Sequence, residues 1–156
     1  MRKKILKDSP PAQPDRVGGL DVPAIATALC TSESASHPVE NMFDGRPDTC
    51  WVADTDGEQT LILAFDTAQA LSRVGLVIQE RTERRTQELD LALSQDGGQT
   101  FREHVRQEFN FSPDGATTQR EDWQLPPGQH YTHLRLRIRP NKSGAGRATV
   151  TTLTLS

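Results

Sequence analysis

An antiparallel β-sandwich or jelly roll of about eight strands is the fold class this sequence predicts, on three observations. From about residue 24 onward the dominant hydrophobic period is two. Turn signals interrupt the alternating runs at short intervals, and no segment carries a convincing amphipathic helical pattern. At 156 residues the chain is long enough to bury one core. A hydrophobic content of 34% beside 25% charged residues suits sheets with one solvated face each.

The elements follow in order. The stretch TLILAF sets Leu61, Leu63 and Phe65 on one face, and RVGLVIQE does the same with Val74, Leu76 and Ile78. ELDLALS carries Leu89, Leu91 and Leu93. FREHVRQEFNF supplies Phe101, Val105, Phe109 and Phe111 at a spacing that predicts a bulge or bend. THLRLRIRP alternates Leu134, Leu136 and Ile138 with Arg135, Arg137 and Arg139, and the tail TTLTL offers Leu153 and Leu155. Between them stand Asp56-Gly57, Asp96-Gly97-Gly98, Pro113-Asp114-Gly115, Pro126-Pro127-Gly128 and Ser143-Gly144. One brief helical turn is expected from Pro38 to Phe43, since Pro is favoured at a helix start.

Residues 1–22 read as a flexible, Pro/Gly-rich leader or linker, and residues 23–156 as the folded domain. The leader is basic but lacks the apolar run of about 7–15 residues that a secretory signal needs, so a cytoplasmic location is the expectation. A formal net charge of −3 gives no global field for nucleic acid. The connections offer no apolar wedge for a membrane surface, which disfavours that partner. Cys30 and Cys50 could pair as a disulfide but do not make a zinc site, and small semi-buried thiols in a reducing compartment is the plainer reading.

The segment SESASHPVENMFDGRPDTCWVA, followed by GEQTLILAF, resembles the discoidin, or coagulation factor 5/8 type C, family. The likeness rests on His37-Pro38-x-Glu40-Asn41, Asp44-Gly45 and Asp48-Thr49-x-Trp51 ahead of a Leu-x-Leu-x-Phe strand. It extends through LALSQDGGQTF and HLRLRI, over residues 24–155. The resemblance implies a galactose-binding-like jelly roll that acts as a non-catalytic ligand-binding module, with carbohydrate the leading ligand class. The same segment also looks like part of a scaffold subunit of the intraflagellar transport machinery, so the alternative is a protein-interaction subunit of a larger assembly.

The resemblance further implies a structural calcium held by Asp44, Asp48 and Thr49 with nearby carbonyls, because calcium takes six to eight hard oxygens. Where the family's last strand usually brings a glutamate, this chain has Thr152, which weakens such a site. The competing account is a self-satisfied turn in which Asp44, Asp48 and Thr49 bond loop amides and Gly45 takes a positive φ. In either account Trp51 belongs to the core.

For ligand contact the polar connection QERTERRT is the candidate: Arg81, Glu83, Arg84 and Arg85 lie together between two strands, and arginine forks suit sugar hydroxyls or a carboxylate. A solvated, self-neutralising loop is the plain alternative. Trp123 and Tyr131 are the rings left over as stacking platforms. Arg135, Arg137 and Arg139 are expected to pair across strands with Glu88 and Asp90 rather than to meet a polyanion. No histidine stands beside a nucleophile in a recognisable constellation, so no enzymatic activity is predicted.

Overall fold

The computed structural model describes residues 19–156. A one-turn helix α1 (Val22–Ile25) leads into β1 (Ala26–Cys30), and a 3-10 turn spans Val39–Phe43. Nine strands follow β1: β2 (Trp51–Val52), β3 (Gln59–Ala70), β4 (Arg73–Gln79), β5 (Arg85–Ser94), β6 (Arg102–Phe111), β7 (Thr118–Gln124), β8 (His130–Arg139), β9 (Thr149–Val150) and β10 (Thr152–Leu155). Of these, β2 and β9 are two-residue strands, which accounts for the difference from the expected eight.

A five-stranded sheet in the order β1-β3-β8-β5-β6 packs on a three-stranded sheet, β10-β4-β7, and β2 pairs with β9. Every pairing is antiparallel. The alternating runs become the two inner faces. Leu61, Leu63, Leu89, Leu91, Leu134, Leu136 and Ile138 from the large sheet, with Val74, Leu76, Ile78, Leu153 and Leu155 from the small one, are each 2% exposed or less. Burying such a side chain contributes about 1.5–3 kcal/mol.

The outer face of the large sheet is dressed as expected. Arg139 sits opposite Glu88 and Arg137 opposite Asp90, with N···O distances of 2.7 and 3.2 Å. Arg135 faces Ala92 instead and lies over the Phe101 ring, 4.6 Å from its centroid.

The predicted helical turn forms as a 3-10 turn, its first free amide (Val39 N) donating to Glu33 Oε2 at 2.8 Å. Its buried Met42 and the adjoining Trp51 enter the core at 0% and 1% exposure, and Trp51 Nε1 donates to Ser32 O. The leader boundary drawn after residue 22 falls inside folded chain: Leu20 N donates to Leu155 O at 2.7 Å, and Val22 is 3% exposed. Residues 1–18 lie outside the described residues. Both cysteines are free thiols of intermediate exposure, and burial raises the Cys30 pKa. Among the described residues no helix is long and apolar enough to cross a membrane.

Candidate functional site

At the end of the sandwich where β4 hands over to β5, a cavity of about 400 Å³ opens beside β2 and β9. Its floor is Arg85. The register that sets Leu89, Leu91 and Leu93 inward also turns Arg85 inward, and its side chain keeps only 4% of its surface exposed. A guanidinium there needs partners. Nη2 donates to Glu80 Oε1 at 2.8 Å and Nη1 to Arg147 O at 2.8 Å, while Nε has no partner.

Glu80 spends its second oxygen on the connection itself. Oε2 accepts from Thr82 N at 3.2 Å and Thr82 Oγ1 at 3.0 Å, which folds the loop back over Arg85. The opposite wall is tied down by Gly57 N donating to Gly146 O at 3.1 Å. Gly146 has a φ of 92° there, which only glycine adopts readily. Beneath both walls, Gln87 Nε2 donates to Thr149 O and Thr149 Oγ1 to Trp51 O, so β2 and β9 are pinned by buried hydrogen bonds. The rim is left to Asp56, Thr82, Glu83 and Arg147, with Asp56 and Arg147 4.0 Å apart.

This arrangement splits the sequence-predicted cluster. Glu83 and Arg85 line the cavity, but Arg85 is a buried strut and its fork is not offered to a ligand. Arg81 and Arg84 are exposed and outside the lining, and Arg84 reaches towards Asp114 at 3.8 Å. Trp123 is corrected outright. It is 8% exposed in β7, opposite Val74, and its Nε1 donates to Gln107 Oε1 at 3.3 Å, so it is part of the core. Tyr131 is also buried, at 6% exposure. Among the described residues no aromatic ring lines the cavity. Asp56, Thr82 and Arg147 were missed; the Asp56-Gly57 turn signal marked the place, not its role.

The loop implied to hold calcium is closed on itself. Asp44 Oδ1 accepts from Arg46 N at 2.9 Å, and Oδ2 accepts from Thr49 Oγ1 at 2.6 Å. Arg46 lays its guanidinium on Asp48, Nε to Oδ1 at 3.1 Å and Nη2 to Oδ2 at 2.9 Å. That pairing lowers the Asp48 pKa and raises that of Arg46. Asn41 Nδ2 donates to Cys50 O, engaging one of the loop carbonyls. Among the described residues no three His, Cys, Asp or Glu side chains converge. With one carboxylate held by an arginine, the other by the turn, and Thr152 in the last strand, the donor set does not fit a calcium cage.

The fold is an antiparallel β-sandwich with a polar cavity among its end loops. The profile of the F5/8 type C domain matches residues 27–153, and the chain belongs to that family. Among solved structures it is similar to a pectin-binding carbohydrate-binding module, at TM-score 0.64 and 17% identity over 85% of this chain and 90% of that one. It is also similar to the family 32 carbohydrate-binding module of Clostridium perfringens NanJ in complex with galactose, at TM-score 0.56 and 17% identity over 83% and 92%. The lectin domain of lectinolysin, complexed with Lewis B antigen, gives TM-score 0.60 and 12% identity over 88% and 96%. No curated protein matches the sequence.

Proposed function

We propose that the chain is a non-catalytic carbohydrate-binding module that takes a neutral saccharide in the cavity between the β4–β5 connection and β9. The observation that carries this reading is the built polar cavity itself. Its floor is fixed by the Glu80–Arg85 ion pair, and its rim presents Asp56, Thr82, Glu83 and Arg147. The buried network fixes the backbone walls that carry these rim side chains, so the cavity's shape is set before a sugar arrives.

Two carboxylates at the rim, Glu83 and the Asp56 that stands 4.0 Å from Arg147, against that one arginine, set the charge preference. An anionic sugar would meet Asp56 and Glu83 at close range, whereas neutral hydroxyls can donate to both. The solved carbohydrate-binding relatives support the ligand class. A sheet-face docking surface for a protein has less support: among the described residues the exposed large hydrophobic side chain is Leu29 alone.

A glycan array followed by calorimetry tests the proposal. Neutral glycans are expected among the hits, and Glu83→Ala and Arg147→Ala should each weaken the best of them about tenfold, the loss of a hydrogen bond to a charged group. An array without neutral hits, or hits whose affinity both variants leave unchanged, would refute it.

A further inference from the structure

The opposite end of the sandwich carries a second cavity, of about 610 Å³. β5 starts at Arg85 in the first cavity and ends at Ser94 beside this one, ten residues later. At the usual strand rise that is roughly 30 Å away. Its walls are the β5–β6 turn, the start of β6 and the β7–β8 turn.

Two independent features shape it. First, β6 carries a bulge: Leu91 faces Val105 and Ala92 faces Glu103, so His104 is an extra residue in the ladder. The insertion returns Arg102, opposite Leu93, to the inward side that Val105 occupies. Without the extra residue Arg102 would point outward with Arg106. Bulges often re-aim side chains in this way beside binding sites. Second, Tyr131 buries its ring in the core at 6% exposure and lines the cavity, where its solvent-facing hydroxyl has no protein hydrogen-bond partner among the described residues.

The balance of donors and acceptors then defines the ligand. The acidic groups are already engaged. Asp96 Oδ1 accepts from Ser94 Oγ and Thr100 N, its Oδ2 accepts from Thr100 Oγ1, and Glu103 Oε1 takes Arg106 at 3.0 Å. Gln95 Nε2 is spent on Gln129 Oε1 and His130 O. Left without partners among the described residues are the Arg102 guanidinium, the His104 ring and the Tyr131 hydroxyl, together with the Gln129 amide nitrogen. All four can donate a hydrogen bond, and one is a permanent cation.

We propose that this cavity is a second ligand site, separate from the neutral-sugar cleft, that binds an acidic saccharide through its carboxylate. The carboxylate seats on the Arg102 fork, and ring hydroxyls accept from Tyr131 and Gln129. A simple aliphatic acid would satisfy Arg102 and leave the hydroxyl and the amide facing it unpaired.

The test is a two-dimensional amide NMR titration of the full chain with sodium galacturonate, with galactose and with sodium acetate. Galacturonate is expected to move the amides of Gln95, Arg102 and Gln129 saturably, and more tightly than either control. Arg102→Gln should weaken that binding about tenfold and Tyr131→Phe several-fold, while Glu83→Ala at the far cleft leaves it unchanged. Amides that stay in place at this end, equal binding of galactose or acetate, or an Arg102→Gln variant of unaltered affinity would each overturn the proposal. The neutral-sugar cleft is read from amides of residues 80–83 and 146–149, so failure at one end is distinguishable from failure at the other.

Discussion

Arg46 decides what the loop between the 3-10 turn and Trp51 is. A guanidinium spans both oxygens of Asp48 while Asp44 holds the turn through Arg46 N and Thr49 Oγ1. Adding millimolar calcium should therefore leave the melting temperature where it was, because only a ligand that binds the native state raises it by mass action; a clear upward shift would show that Asp48 can be released from Arg46. Asp44→Ala removes two hydrogen bonds at an exposed turn and should cost about 1 kcal/mol, read from urea midpoints. The turn was legible in Asp44-Gly45, where Gly45 takes the expected positive φ of 73°. The Arg46–Asp48 fork was not, because side chains two apart meet only when a particular turn bends the backbone between them. Asp96 gives the pH dependence at this scale. Hydrogen bonds from Thr100 and Ser94 lower its pKa to about 2. A carboxylate depressed in the folded state adds stability that is complete above the unfolded pKa, near 4, and lost as pH falls through the folded value. Stability should thus decline between about pH 4 and pH 2, and Asp96→Asn should flatten that decline in urea titrations at successive pH values.

Among the elements, those with strong apolar alternation were read correctly from the chain, down to the bulge in β6. The strands without it were not marked: β1 is Ala-Thr-Ala-Leu-Cys, and β2 and β9 are two residues each. β7 shows why period alone misleads. Its inward positions are Gln119, Glu121 and Trp123, which look half polar. They face the edge of the other sheet: Gln107 Nε2 donates to Glu121 Oε1 at 2.6 Å, and Gln119 Nε2 to Asn110 O at 2.9 Å. A polar seam thus joins β6 to β7 and closes the sandwich along one side, with Trp123 sealing its inner margin. The candidate cleft was only half visible for a related reason. Arg85 belongs to a strand register, and its partners Glu80 and Arg147 come from separate connections. Replacing Arg85 with Ala should destabilise the domain by about 3–5 kcal/mol, since Glu80 is left as a poorly compensated buried charge; Glu80→Gln in the same background should recover part of the loss. Close approach of strands gives a second test. A Cβ at Gly75 would collide with Thr154 Oγ1 on the neighbouring β10. Gly75→Ala is expected to cost about 1–3 kcal/mol, and adding Thr154→Ala, which removes the obstructing oxygen, should restore most of it in a thermal melt.

For the whole molecule, the last residues of the chain matter as much as any interior strand. β10 forms one edge of the small sheet, pairs with β4 from Thr152↔Val77 to Leu155↔Val74, and sends Leu153 and Leu155 into the core. Its end is clasped on both sides: Leu155 O accepts from Leu20 N, and Ser156 O accepts from Ser72 N at 2.7 Å and Arg73 N at 3.0 Å. The small sheet has three strands, so removing β10 leaves a two-stranded ribbon of β4 and β7 over the large sheet. It would also open the core above Leu76 and detach the segment at Leu20. Truncating a single buried leucine to alanine costs about 2–5 kcal/mol, and small domains have only about 5–15 kcal/mol in total. Two leucines, their ladder and the Leu20 clasp together exceed most of that margin. A chain ending at Thr151 should accordingly show no cooperative thermal transition and no dispersed amide spectrum. The double substitution Leu153→Ala with Leu155→Ala should give the same result while keeping the backbone length. If the truncated chain unfolds cooperatively with a melting temperature close to that of the intact domain, then the large sheet and β4–β7 hold the fold by themselves and the closure through β10 is dispensable.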